Sequence, residues 1–164
     1  MFDDTIAARV GSASGARLSR LEQAADTATD QIAVCRQIFG LLAVAYWGDV
    51  ANQPKAKGQP CTTTEWMRNF ARANAAMLAS LGAYDWRDRL AGVAVPVLVI
   101  HGTRDPIPID AAKEWASGFR DARLLTIDQS GHFPWIEQPA TFFPTVETFL
   151  AGSWPPAAHS VPAR

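Results

Sequence analysis

Residues 96–106 read PVLVIHGTRDP, a short unbroken apolar run that ends in a glycine and a polar turn. Such runs, when they are rich in β-branched residues, are typical of strands that are buried on both faces of a parallel sheet. A second run at 123–127 follows a predicted helix that begins near Asp110, and a last helix is predicted near 141–150. Strand, helix, strand and helix in this order predict a right-handed βαβ crossover.

Two parallel strands are too few for such a sheet. Purely parallel sheets are normally larger and have helices on both faces, and two strands cannot bury two apolar faces. We therefore expect the predicted strands to form one end of a sheet whose other strands lie elsewhere.

Residues 1–84 show helical periodicity instead. Apolar residues recur at helical spacing over 32–46, and Asp30 is placed to cap the helix that they predict. Thr62 and Glu65 stand three residues apart before another apolar run, which is the pattern of a capping box at the start of a helix. No strand is predicted between these helices, so the first half of the chain is a predicted helical layer.

The composition is that of a globular domain without a strong electrostatic preference. The chain has 164 residues, 48% of them apolar, and 15 Lys and Arg against 16 Asp and Glu give a formal net charge of −1. Such a chain is too apolar for disorder and offers no basic surface to nucleic acid or to an anionic membrane. The acidic N-terminus, MFDD at 1–4, is unlike a signal peptide. We therefore expect a soluble cytoplasmic protein that binds neither nucleic acid nor a membrane.

The cysteines and the other ligand-type residues do not suggest a cofactor. Cys35 and Cys61 lack the CxxC spacing of a zinc ribbon, and their number and spacing argue against a disulfide scaffold. No group of side chains has metal-ligand spacing, so the sequence predicts neither a metal nor an organic cofactor.

Two polar residues follow the two predicted strands, Asp105 after the first and His132 after the second. Sites in open α/β sheets form at the carboxyl ends of the strands, and the separation of 27 residues is one crossover unit. A carboxylate that accepts from one ring nitrogen of histidine fixes the tautomer and leaves the other nitrogen free as a general base. Each residue alone is more simply a turn or loop residue. Together they predict the acid and base of a catalytic triad.

Residues 97–108 (VLVIHGTRDPIP) and 130–139 (SGHFPWIEQP) resemble the C-terminal part of the α/β-hydrolase superfamily. Within it the pattern is most similar to the proline-iminopeptidase-like branch. This resemblance implies that Asp105 is the triad acid and that His132 is the triad base. The implied substrate is a small-molecule ester, amide or peptide.

The resemblance also implies a domain organisation. Residues 85–152 correspond to the C-terminal βαβα part of the hydrolase core, with the last two parallel strands and their helices. Residues 1–84 are similar to the helical cap, or lid, that the family inserts before these strands. Residues 153–164, rich in Pro and Ala, are interpreted as a frayed tail. The expected fold is thus a partial α/β-hydrolase fold.

The nucleophile of the family is missing from its expected place. A G-x-S-x-G elbow between a strand and a helix should precede the acid and the base. Residues 11–15 have both glycines, but Ala13 occupies the nucleophile position and no predicted strand precedes it. Cys61 is interpreted as a loop residue rather than a nucleophile. Because oxyanion donors of the expected kind are also missing, we expect little or no hydrolase activity from these 164 residues alone.

Three functional hypotheses follow from the sequence. The leading one is the cap and C-terminal half of a serine-type hydrolase that cleaves an ester or an N-terminal amide bond. The second keeps the fold but has an Asp nucleophile, as in dehalogenases and epoxide hydrolases. The third is a non-catalytic binding or complementation module, whose exposed sheet edge takes up a partner or a second copy by strand addition.

Several other side chains have a structural and a functional interpretation. Aromatic residues of the helical half, among them Phe39, Tyr46 and Trp47, are interpreted as packing the cap, with the lining of a substrate pocket as the alternative. Glu137 is interpreted as a helix cap or the partner of an arginine rather than a ligand for a cationic substrate. Arg104 is interpreted as a solvated turn residue.

Overall fold

The computed structural model describes residues 2–58, 61–63, 66–83 and 85–162. Helices fill the first half of the chain, and strands alternate with helices in the second half. The helices are α1 (Phe2–Val10), α2 (Ser12–Ala24), α3 (Gln31–Tyr46), a 3₁₀ helix (Val50–Lys55), α4 (Trp66–Leu81), α5 (Arg87–Leu90), α6 (Ile109–Gly118), α7 (Pro134–Glu137) and α8 (Pro139–Leu150). The strands are β1 (Val97–Gly102), β2 (Ala122–Ile127) and β3 (His159–Ser160).

The predicted βαβ crossover is present. β1 and β2 are parallel, in a register that runs from Val97 opposite Ala122 to Gly102 opposite Ile127. α6 connects the two strands and packs against both of them. This arrangement confirms the partial α/β fold class and brings the carboxyl ends of both strands to one edge.

The core lies on both faces of β2, because successive side chains of a strand point to opposite faces. Small residues on α6 let that helix approach one face closely, and residues of the C-terminal segment cover the other face. The two clusters of buried residues are Ala112, Ala116 and Leu124 on the first face, and Leu125, Ile127 and Ala158 on the second.

The prediction of a frayed tail over 153–164 is wrong for the part that the structure describes. β3 lies in this segment and pairs with β2 in the antiparallel sense. Trp154 packs against Phe149 with 5.3 Å between ring centroids, and the Arg123 guanidinium lies 4.7 Å above the Trp154 ring. Ala158 is 6% exposed in the core. Pro and Ala lose little side-chain entropy on packing, so their abundance does not prevent order.

The helical layer is organised around α3, which packs against α1 and α2. The Asp30 side chain accepts the Ala33 N–H at 2.8 Å, which confirms the predicted cap of α3. Glu65, the second half of the predicted capping box, lies outside the described residues. No helix in the described ranges is long and apolar enough to cross a membrane.

Cys35 and Cys61 form a disulfide, contrary to the expectation from their number and spacing. Both residues are 2% exposed, and their Cα atoms lie 5.7 Å apart although 26 residues separate them in the chain. Spacing in sequence says nothing of this proximity, which arises because the segment before α4 folds back onto α3. The bond therefore fixes that segment to the helix.

The packing of the C-terminal segment leads to a stability prediction. Trp154→Ala removes the ring contacts with Phe149 and Arg123, so we expect the free energy of unfolding to fall by about 1–3 kcal/mol. Trp115 is 46% exposed and serves as the matched control, with an expected loss below about 1 kcal/mol for Trp115→Ala. Urea unfolding followed by circular dichroism measures both. Equal losses for the two variants would contradict an ordered C-terminal segment.

Candidate active site

The acid side of the site is the turn that follows β1. The Asp105 N–H donates to the Gly102 carbonyl at 3.1 Å, and Asp105 Oδ1 accepts the Ile107 N–H at 2.8 Å. A carboxylate that accepts the N–H two residues further on forms an Asx turn, and the fixed φ of the buried Pro106 stiffens it. The Asp105 side chain, 9% exposed, is therefore held at the carboxyl end of β1.

The base side of the site is the loop that follows β2. The His132 N–H donates to the carbonyl of Tyr46, the last residue of α3, at 2.8 Å. His132 Nδ1 lies 3.0 Å from Asp105 Oδ2 and 3.2 Å from Oδ1. The His132 ring stands edge-on to Tyr46 and Phe133, with centroid distances of 5.5 and 5.4 Å. The structure thus brings together the two side chains that the sequence places at one sheet edge.

Asp105 and His132 shift each other's pKa values. The pKa of Asp105 is lowered and that of His132 is raised, which keeps Asp105 ionised and makes His132 a stronger base. Burial acts to raise the pKa of Asp105, but the hydrogen bonds from His132 and the Ile107 N–H, with the charges of His132 and His101, lower that pKa below its usual value. The hydrogen bond to Asp105 raises the pKa of His132 above its usual value, against the effect of burial and with the help of the Asp105 charge. An ionised Asp105 accepts the Nδ1 proton, so Nε2 carries the lone pair of a base.

A cavity of about 740 Å³ borders the His132 ring. This volume is in the range of small-molecule sites, and most of the wall is apolar. Phe39, Tyr46 and Trp47 therefore line a cavity. The sequence left this as the alternative and favoured packing within the cap. The lining residues are Arg36, Phe39, Leu42, Ala43, Tyr46, Trp47, Gln53, Ala56, Gly58, Cys61, His132, Phe133 and Ile136.

Glu137 has a role that the sequence did not predict. Its side chain is buried, with the residue 5% exposed, and it accepts three backbone N–H groups. Oε1 accepts from Gly48 at 2.8 Å and from Asp49 at 3.0 Å, and Oε2 accepts from Gly131 at 2.6 Å. The interpretation as a helix cap or an arginine partner is wrong. No sequence signal marks the contact, because its donors are backbone groups that any residue other than proline carries.

Two arginines fix the acid turn to α3. Arg9 of α1 donates to the carbonyls of Ala45 (2.8 Å), Arg104 (2.6 Å) and Asp105 (3.0 Å). Arg104 donates to the Gly48 carbonyl at 2.9 Å. Arg104 is an exposed turn residue, as the sequence suggests, and its bond to Gly48 adds to those of Arg9, so both arginines hold the helical half against the sheet edge.

In the described residues the histidine and the carboxylate lie together, and no serine or free thiol is bonded to the histidine ring. No serine in the described ranges hydrogen-bonds the His132 ring, whose bonded partner is Asp105. Cys61 lines the cavity, but its sulfur is bonded to Cys35 and is not a free thiol. Ala13 lies within α2, with α1 and not a strand before it. What this arrangement can do chemically is accept and return a proton beside an apolar cavity.

Comparison with known proteins agrees with this fold. The model of the alpha/beta hydrolase family matches residues 5–145. The chain therefore belongs to the α/β-hydrolase family.

Three individual relatives match parts of this chain. The chain is 31% identical over 128 residues to a pimeloyl-[acyl-carrier protein] methyl ester esterase of Aromatoleum aromaticum, a match that covers 77% of this chain and 50% of that protein. It is 40% identical over 55 residues to the AB hydrolase superfamily protein YisY of Bacillus subtilis, over 33% of this chain and 20% of that protein. The uncharacterized protein Rv2715 of Mycobacterium tuberculosis is 32% identical over 75 residues, which are 40% of this chain and 22% of that protein. The chain thus spans at most about half the length of these relatives.

The hydrogen bond between Asp105 and His132 leads to a titration prediction. In the wild type we expect His132 to titrate above pH 6.5. Asp105→Asn removes both the accepting carboxylate and its charge and leaves the opposing effect of burial, so the pKa of His132 should fall below 6.5. NMR of the imidazole signals of the wild type and the variant measures this. An unchanged His132 pKa in the variant would contradict the pairing.

Proposed function

We propose that this chain is the cap and C-terminal part of a serine-type hydrolase that cleaves a carboxylic ester. Residues 1–84 would form the cap and 85–152 the core part, with Asp105 and His132 as the acid and base of the triad. The observation that supports this proposal most is the His132–Asp105 hydrogen bond beside an apolar cavity. Membership of the α/β-hydrolase family supports the same class of reaction.

The proposed chemistry follows from the two side chains. His132 Nε2 takes the proton of a serine hydroxyl while the serine oxygen attacks the ester carbonyl carbon. The imidazolium that forms is stabilised by the Asp105 carboxylate and then returns the proton to the departing alkoxide. In the second half of the reaction His132 takes a proton from water while the water oxygen attacks the carbonyl carbon of the acyl-enzyme. The carboxylic acid is released as the proton returns to the serine oxygen.

The cavity and one relative favour an ester with an apolar acyl chain over other substrates. The cavity wall is mostly aliphatic and aromatic, and the relative that matches most of this chain is named as a methyl ester esterase. We propose that the acyl chain occupies the cavity and that the carbonyl carbon lies near His132 Nε2. An N-terminal amide bond, as in the proline-iminopeptidase-like branch, is the alternative substrate.

The nucleophile would come from outside these 164 residues. Within the described part of the chain β1 pairs with β2 and with no other strand, so its other edge is available for strand addition. We propose that a polypeptide segment bearing the G-x-S-x-G elbow pairs there, and that the 164 residues alone hydrolyse esters at no more than the uncatalysed rate. The same edge would allow self-association of the isolated chain.

Ester hydrolysis by the whole protein purified from its source tests the proposal. The p-nitrophenyl esters of acyl chains with two to ten carbons are suitable substrates. His132→Ala removes the base, so we expect kcat to fall by about 10³-fold or more. His159→Ala alters an exposed histidine of β3 and should leave kcat unchanged.

Each other outcome of this assay points to one of the alternatives. Full activity in His132→Ala would refute the assigned base. No ester hydrolysis, but turnover of a haloalkane or an epoxide, would indicate an Asp nucleophile. No turnover, together with a partner strand stably bound at β1, would indicate a binding module.

Localisation is a separate prediction that the disulfide makes testable. The expected compartment is the cytoplasm, whereas a disulfide persists most readily in oxidising compartments. Alkylation of free thiols in intact cells, followed by mass analysis of the peptides with Cys35 and Cys61, distinguishes the cytoplasm from an oxidising compartment. Alkylated cysteines would support the cytoplasm, and unmodified, bonded cysteines would contradict it.

A further inference from the structure

The loop that carries His132 is attached to the rest of the molecule through its backbone. The His132 N–H donates to the Tyr46 carbonyl at 2.8 Å, and the N–H of the preceding Gly131 donates to Glu137 Oε2 at 2.6 Å. The His132 side chain is 36% exposed and meets the rings of Tyr46 and Phe133 edge-on. The position of the imidazole therefore depends on these ring contacts, on the backbone contacts and on the hydrogen bond to Asp105.

The second oxygen of Glu137 binds the backbone next to the cavity wall. Oε1 accepts from Gly48 and Asp49, which directly follow Tyr46 and Trp47 of that wall. We call the Glu137 carboxylate with the N–H groups of Gly48, Asp49 and Gly131 the Glu137 clamp. Hydrogen bonds to a carboxylate are about twice as strong as neutral ones, and a buried one is shielded from competing water.

The backbones that the Glu137 clamp joins are in direct contact. A Cβ atom on Gly48 would lie 2.6 Å from the Gly131 nitrogen, and a Cβ on Gly131 would overlap the Tyr46 carbonyl oxygen. Such close approach brings three N–H groups within reach of one carboxylate. The Glu137 clamp is therefore part of a close contact between backbone segments and not a chance contact at the surface.

We propose that Glu137 is a positioning residue for the catalytic base. Its carboxylate ties the His132 loop to the backbone that directly follows Tyr46 and Trp47 of the cavity wall, so that the imidazole keeps its alignment with Asp105 and with an ester carbonyl held in the cavity. The proposal rests on the function proposed above, in which His132 is the base. Glu137 touches neither His132 nor a reacting atom, and it acts through the backbone of Gly131.

Glu137→Gln in the whole protein tests this role. The glutamine keeps the side-chain volume, but its NH₂ group faces at least one of the three N–H donors, so at least one bond of the clamp is lost. A misplacement of a catalytic group by about 1 Å costs about 10²-fold in rate. We therefore expect kcat per folded molecule to fall by about 10–10²-fold, with KM changed by less than about threefold. The pKa of His132 should also move down towards 6.5, as its hydrogen bond to Asp105 loosens.

A second variant disturbs the same backbone contact from the side of Gly48. Gly48→Ala pushes a methyl group against the Gly131 nitrogen without changing Glu137, and it should produce the same shifts in kcat and in the His132 titration. Gly40→Ala in α3 is the matched control, because a Cβ at Gly40 meets nothing within 4 Å. Glu147→Gln, on the exposed part of α8, is the control for loss of a carboxylate.

The outcomes separate positioning from simple stability. A Glu137→Gln or Gly48→Ala protein with a lower melting temperature, but with wild-type kcat per folded molecule and a wild-type His132 pKa, would overturn the proposal. If one of the two variants does not fold, the other decides. If the wild type hydrolyses no ester, the proposed function fails and the His132 titration alone decides on the clamp.

Discussion

Three backbone segments meet at the carboxyl edge of the sheet, so closely that each has a glycine at the point of contact. A Cβ on Gly48, Gly102 or Gly131 would collide with backbone atoms of its neighbours. This contact joins the helical half of the chain to β1 and β2, and the candidate site is built on it. Glu137 supplies the acceptors that the three converging N–H groups need, because an unpaired buried N–H would cost about 1–3 kcal/mol.

This contact explains why Asp105, His132 and the cavity form one site. The parallel pairing of their strands brings Asp105 and His132 to the same edge of the sheet, and the loop contacts set their distance there. The cavity wall comes from α3 in the other half of the chain. Since Tyr46 accepts the His132 N–H, the end of α3 is held at the base, and the apolar wall begins where the proton transfer would occur.

Local pattern in the sequence was sufficient for the two parallel strands and for the contact between Asp105 and His132. Apolar runs that end in polar turns predict strands, and the positions directly after two parallel strands share an edge, so Asp105 and His132 could be placed together without a structure. The Asp30 cap is a similarly local signal. Membership of the α/β-hydrolase family agrees with these inferences.

Features that depend on contacts between distant parts of the chain could not be predicted from the sequence. Glu137 binds backbone N–H groups up to 89 residues away, and no side-chain pattern encodes its partners. The disulfide joins residues whose separation of 26 has no special meaning until the chain folds back. β3 has two residues and lies in a segment rich in Pro and Ala, so it has no period to detect, and its order comes from the packing of Trp154 and Ala158.

We propose that His132 and Asp105 are the base and the acid for a serine that lies outside these 164 residues. Labelling of the whole native protein with a fluorophosphonate, followed by mass analysis of the labelled peptide, tests it most directly, because the reagent reacts with a serine only when a base activates it. We expect a labelled serine in a G-x-S-x-G sequence beyond these residues, and no labelling in His132→Ala. Labelling of a serine within the 164 residues, or labelling that survives His132→Ala, would contradict it.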